Sequence, residues 1–202
     1  MGSDGKWQVQ ASDQVDYKTR IVVIRPSDPA DFNGTVFVEW LNVSAGFDSP
    51  PDWLQAHTEL MRSGFAWVGV SAQKVGVDAL LNGKACDINP LCLNGDRYES
   101  LGLSHPGDNY SYDIFSQVAQ AIREPGAVSL LGNLQAQHLI AAGESQSAGR
   151  MVTYVNAFAP LHALYDGYFI HSRTEGSAGL QQESFCAAAI PAPAVVRVRD
   201  DL

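Results

Sequence analysis

Five apolar, β-rich runs alternate with stretches of helical period along most of this chain, and that order constrains its fold more than any single motif. The runs are "KTRIVVIRP" (18–26), "GTVFVEWLN" (34–42), "FAWVGVSAQ" (65–73), "QHLIAAGE" (137–144) and "YDGYFIHS" (165–172). Between them, "PPDWLQAHTELMRSG" (50–64), "SYDIFSQVAQAIRE" (111–124) and "QSAGRMVTYVNAFAP" (146–160) read as helices. In the first helix Trp53, Leu54, Leu60 and Met61 form the expected buried face, and Gly64 ends it. In the second, Phe115, Val118, Ala119 and Ile122 fall on one side. Residues 76–107 have no clear period and read as a long connection with some short helix, while the chain after 172 reads as mostly irregular. Strands alternating with helices predict an α/β fold, a mostly parallel sheet with helices on both faces. Ligands of such sheets sit outside the carboxyl ends of the strands. Small polar residues fall there in Asn42–Gly46, Gly143–Ser147 and His171–Arg173, and together they pick out one site.

Within that site "HLIAAGESQSAGRM" (138–151) sets Ser145 where a strand ends and a helix begins. A nucleophile at such a junction needs a sharp turn that lifts its hydroxyl off the sheet, and small neighbours so that strand and helix pass closely. Gly143, Ser147, Ala148 and Gly149 are small, although "GESQS" has Ser147 where the usual Gly-x-Ser-x-Gly turn has its second glycine. The Gln146 N–H at the helix start points toward a developing oxyanion. The plainer reading is a tight strand-to-helix turn without chemistry.

The stretches "GTVFVEWLNVSAG", "PDWLQAHTELMRSGFAWVGVSAQKVGV", "LGLSHPGDNYSYDIFSQ", "AAGESQSAGRMVTYVN" and "YDGYFIHSR" resemble the bacterial α/β-hydrolase-domain proteins, which are serine-esterase-like and carry the "GESQS" elbow. The likeness runs from about Gly34 to Arg173. It implies an α/β-hydrolase fold, no metal or cofactor, and hydrolysis of a small-molecule carboxylic ester through an acyl-enzyme on Ser145. By analogy with that fold, the second oxyanion donor is an N–H of the loop after "VFVEW", at Asn42 or Val43. The triad order of the fold is serine, acid, histidine. The resemblance therefore implies an acid and a histidine beyond Leu202 or on another chain, so that residues 1–202 form one domain, the N-terminal portion of an α/β-hydrolase domain lacking its C-terminal strands. The alternative is a non-catalytic binding or assembly subunit that keeps the hydrolase sheet, whose open edge a partner would cover.

Inside the chain, His171 ends a strand on the same edge as Ser145 and is a candidate base, although Asp166, five residues earlier, falls on the opposite face and orients it poorly. Pocket lining beside Arg173 and ordinary packing are the other readings of His171. His105 in "SHPGD" is a candidate pocket residue. Trp40, Phe47, Trp53, Tyr98 and Tyr110 are candidates for an apolar acyl or alcohol pocket and equally for the core. Asp108 and Asp113 read as charges at a helix N-terminus. No histidine pair has metal-ligand spacing, "GVDALLNGKA" lacks the glycine spacing and hydroxyl of a phosphate loop, and no strand is followed by a dinucleotide turn.

Composition narrows the partners. A formal net charge of −9, with 13 Lys and Arg scattered along the chain, argues against nucleic acid and anionic membranes. The start "MGSDGKWQVQ" lacks the apolar segment of a secretory signal, which favours a cytoplasmic over a secreted location. Cys86 and Cys92, in "CDINPLC", would close a small loop on export and otherwise remain thiols, the favoured reading.

Overall fold

The structure is a computed structural model that describes residues 7–10, 13–82, 96–173 and 175–180. Cys86, Cys92 and the tail after Leu180 lie outside the described residues. Five strands form one sheet: β1 (Ile21–Ile24), β2 (Thr35–Trp40), β3 (Ala66–Val70), β4 (His138–Glu144) and β5 (Gly167–His171). Their spatial order is β1-β3-β2-β4-β5. β1 runs antiparallel to β3, and the other neighbours pair in parallel. The longer helices are α1 (Pro51–Arg62), α2 (Lys74–Asn82), α4 (Ser111–Arg123) and α5 (Gln146–Ala157), with short turns α3 (Asp96–Glu99) and α6 (Ala159–His162).

The pleat sorts β2 between two cores. Val36, Val38 and Trp40 face a large cluster with Tyr112, Phe115, Met151, Tyr154 and Phe158 from α4, α5 and the residue after α5. Phe37 and Leu41 face a smaller cluster with Leu60 of α1 and Trp67 of β3. Period-two alternation therefore gives each face its own helix layer. Rings dominate the larger cluster: Trp40 lies 5.1 Å from Phe115, and Tyr112 stacks on Phe158 at 4.8 Å. Phe115, Val118, Ala119 and Ile122 are all buried, as their spacing predicted.

The expected face of α1 is corrected. Leu54 and Met61 are 63% and 55% exposed, while Asp52 and Leu60 are buried with Ala56 and Trp53 packed beside them. Positions 52, 56 and 60 repeat every four residues, so a carboxylate occupies the inner stripe. α1 has no side-chain cap at its N-cap, Pro50. Instead Glu39, fully buried on β2, accepts the N–H groups of Asp52 (2.9 Å) and Trp53 (3.0 Å) and the indole N–H of Trp67 (2.8 Å). A strand side chain thus satisfies donors that a helix start leaves open. At the other end Gly64 takes φ +74°, and a Cβ there would meet Asp31 O at 2.2 Å.

The connection after β3 starts with α2, nine residues long, whose Val77 and Leu80 pack with Leu103. Two turns hold too few apolar positions to register as a period. No helix among the described residues is long and apolar enough to cross a membrane.

Candidate functional site

Ser145 stands between β4 and α5 with φ +55° and ψ −111°, a backbone state that a serine adopts only under constraint. The constraint is visible on both sides. Its N–H donates to His171 O of β5 at 3.2 Å, and its own carbonyl accepts the Gly149 N–H at 3.3 Å. Gly143 makes the close approach possible, since a Cβ there would lie 2.6 Å from Met151 Cγ and 2.8 Å from Ser147 O. Ser147, where the usual motif has glycine, is fully buried and closes the turn. Its hydroxyl accepts the Glu144 N–H at 3.0 Å and donates to Glu144 O at 2.8 Å. The departure from the motif is thus a clamp on the elbow. The Ser145 side is exposed, and no side chain among the described residues hydrogen-bonds its hydroxyl.

The loop after β2 is tied to this elbow. Asn42 and Ser49 pair by their backbones at 2.9 and 2.8 Å, closing residues 43–48 into a pinned loop. Asn42 Nδ2 donates to Glu144 O at 2.9 Å, and Asn42 Oδ1 accepts the Ser44 N–H at 2.8 Å. The Val43 N–H donates to Gln146 Oε1 at 3.4 Å. The Gln146 backbone N–H, at the first position of α5, is one of the donors that a helix start leaves without an intrahelical partner. Asp48 holds the far side of the loop by accepting from Arg20 Nη2 (2.9 Å) and the Ser71 hydroxyl (2.5 Å). Burial pushes the Asp48 carboxyl up to about 6, with Arg20 pulling the other way.

Beneath the elbow lies a buried polar relay. Asp108 accepts from Arg150 Nη2 (2.8 Å), Gln73 Nε2 (2.9 Å) and the Lys74 N–H (2.8 Å). Gln73 Oε1 accepts from the Trp40 indole at 3.1 Å and from Gln146 Nε2 at 2.9 Å. Asp108 thus stands in the first turn of a short helix, as its reading from sequence had it, and is also the partner of a fully buried arginine, which that reading did not include.

His171 meets an acid that spacing along its own strand did not suggest. Its Nε2 lies 2.5 Å from Asp52 Oδ1, across 119 positions of sequence. Asp52 is raised above the ordinary aspartate range by burial, with the His171 contact opposing the rise, and its Oδ2 is buried without a hydrogen-bond partner. Burial, with Asp52 nearby, lifts Glu39 to about 7. Asp166 instead accepts the Leu139 N–H and pairs with Arg123 at the other end of the sheet.

Of the residues singled out from sequence, Ser145, Gln146, Asn42, Val43 and His171 come together at the carboxyl edge. Arg173 follows two residues after His171 and is exposed. His105 is buried, with Nε2 on Ala72 O (2.9 Å) and Nδ1 accepting the Gly107 N–H (3.2 Å), and burial lowers its pKa. Trp40 is fully buried and is hydrogen-bonded to the site through Gln73. A cavity of about 370 Å³, lined by Arg25, Trp53, Arg62 and Phe65 among others, does not include Ser145. Glu39, Asp52, Gln73 and Arg150 escaped the sequence reading, as did the pairing of Asp108 with Arg150. For Glu39, Gln73 and Arg150 the available signal is a polar residue inside an otherwise apolar or small-residue run.

A mostly parallel sheet with an antiparallel strand at one edge, and a strained serine between a parallel strand and its helix, define the α/β-hydrolase fold. The family model described as "Alpha/beta hydrolase domain" matches residues 1–202, and the chain belongs to that family. No curated protein and no solved structure matches the chain.

Proposed function

We propose that the chain carries the nucleophile of a serine hydrolase that cleaves carboxylic esters through an acyl-enzyme on Ser145. The observation that carries this reading is the positive-φ geometry of an exposed serine directly before a helix whose first N–H is open. In the proposed reaction the Ser145 hydroxyl adds to the ester carbonyl as a base takes its proton. The N–H groups of Gln146 and of the loop at Val43 hold the developing oxyanion, and collapse of the intermediate expels the alcohol. Water then repeats the addition on the acyl-enzyme and releases the acid.

The proposed base lies outside the described residues, with its acid, on a segment past Leu202 or on a second chain. The five histidines support this. His57 Nδ1 sits on Trp53 O, both His105 nitrogens meet backbone, and His138 starts β4 at the far edge. His162 Nδ1 sits on buried Ser116, and His171, whose Nε2 is held by Asp52, has its Nδ1 3.4 Å from Ser172 Oγ rather than on Ser145. Hydrolysis of p-nitrophenyl acetate by the wild type and by Ser145→Ala, each assayed together with the segment or chain that supplies the base, tests the reading. The expected loss is at least about 1000-fold in kcat, and equal rates for the two proteins refute it.

A further inference from the structure

The relay under the elbow has a direction that its chemistry fixes. The Trp40 indole can only donate, and the Asp108 carboxylate, paired with Arg150, can only accept. Gln73 lies between them, fully buried, so its amide oxygen must face Trp40 and its nitrogen must face Asp108. The second lone pair of that oxygen takes the Gln146 side-chain nitrogen. Gln146 is then left with its own oxygen toward the Val43 N–H. Turning either amide over would set N–H against N–H or oxygen against oxygen, and for the buried Gln73 the cost is comparable to leaving a polar group unpaired.

Three consecutive N–H groups of the loop are held to different degrees. Those of Asn42 and Ser44 are committed at 2.9 and 2.8 Å to Ser49 O and Asn42 Oδ1. The Val43 N–H is held at 3.4 Å by a side-chain carbonyl, the longest of the three bonds and the one most easily given up to a ligand oxygen.

We infer that Gln73 is a positioning residue for the oxyanion pocket, acting through Gln146 to hold the Val43 N–H in place until a substrate oxygen takes it over. This rests on the serine-hydrolase reading above. Gln73 touches no reacting atom. It sets which end of Gln146 faces the loop: the chain Arg150–Asp108–Gln73–Gln146 leaves α5 and returns to its first residue, which then meets the loop at the Val43 N–H.

The test combines Gln73→Met, Gln146→Met and the double variant, read by ester kinetics and by hydrogen exchange of the Val43 amide in NMR. Misplacing a catalytic donor by about 1 Å costs up to about 100-fold in rate, so each single variant is expected to lose about 10- to 100-fold in kcat with KM within about twofold. If Gln73 acts through Gln146, the double variant loses no more than the worse single, and Val43 exchange quickens by about tenfold or more in all three. Losses that multiply in the double variant, a change confined to KM, or unchanged Val43 exchange overturn the inference. Gln73→Asn, which keeps an amide in the same polar surroundings, repeats the test if Gln73→Met does not fold, with a smaller kcat loss expected and the same exchange change. A wild type that hydrolyses no ester even with the segment or chain supplying the base removes the hydrolase reading, and exchange at Val43 then decides the relay by itself.

Discussion

Glu39→Gln probes the carboxylate that caps α1 and so holds Asp52 against His171. In the folded chain the Glu39 carboxyl has its pKa lifted from 4.5 to about 7, first by burial and then by the nearby Asp52. The folded state therefore keeps a proton that the unfolded state releases, and stability from this group falls as pH rises from about 4.5 through about 7. At 1.36 kcal/mol per pKa unit, the whole decline is about 3 kcal/mol. Glutamine does not titrate, so the variant lacks that slope. Where the protonated wild-type carboxyl keeps a hydroxyl oxygen that can still accept, glutamine presents an NH2 that cannot, facing three N–H groups that converge on Glu39 from Asp52, Trp53 and Trp67. A buried donor left without an acceptor costs about 1–3 kcal/mol. The wild type is accordingly more stable than Glu39→Gln at pH 5, and the gap narrows by about 2.5 kcal/mol by pH 8, the remainder of the decline lying below pH 5. Urea unfolding of both proteins at pH 5, 6, 7 and 8 measures the gap directly, and contributions from other titrating groups such as Asp48 largely cancel in the difference. A gap that stays constant with pH, or widens toward pH 8, refutes the reasoning.

Three further outcomes follow from the elbow and the relay. Ser145→Gly relieves the positive φ that Ser145→Ala retains, so the glycine variant is the more stable by about 1 kcal/mol in urea unfolding, although neither is active. Gly143→Ala sets a Cβ 2.8 Å from Ser147 O, a backbone atom that moves only with α5, and is expected to cost about 1–3 kcal/mol and most of the ester hydrolysis. Arg150→Met leaves the buried Asp108 carboxylate without its guanidinium, and a loss of about 3–5 kcal/mol in unfolding free energy is the expected result.

The fold was legible wherever one segment's own period decided the outcome. Strand–helix alternation placed β2, β4 and β5 and their loops at one edge, and "GESQS" after an apolar run marked the elbow. Local reading failed where a polar side chain replaced an apolar one on a buried face. Asp52 belongs to the inner stripe of α1, and reading that stripe from Leu54 and Met61 rotated the helix away from its packing. What makes Asp52 tolerable there is His171, 119 positions away, and no spacing rule links them. Glu39 was equally opaque, because a cap is sought just before a helix and this one comes from the neighbouring strand. Gln73, Asp108 and Arg150 acquire meaning only together, since each satisfies the others' buried polar atoms across three separate segments.

The central claim is that Ser145 is an activated nucleophile. Treating the protein with a fluorophosphonate and mapping the modified residue by peptide mass spectrometry, with Ser145→Ala as control, tests it most directly. The account predicts one covalent adduct, on Ser145, lost in the alanine variant and slowed by Gln146→Met. An adduct on another residue, or equal labelling of wild type and Ser145→Ala, would contradict it.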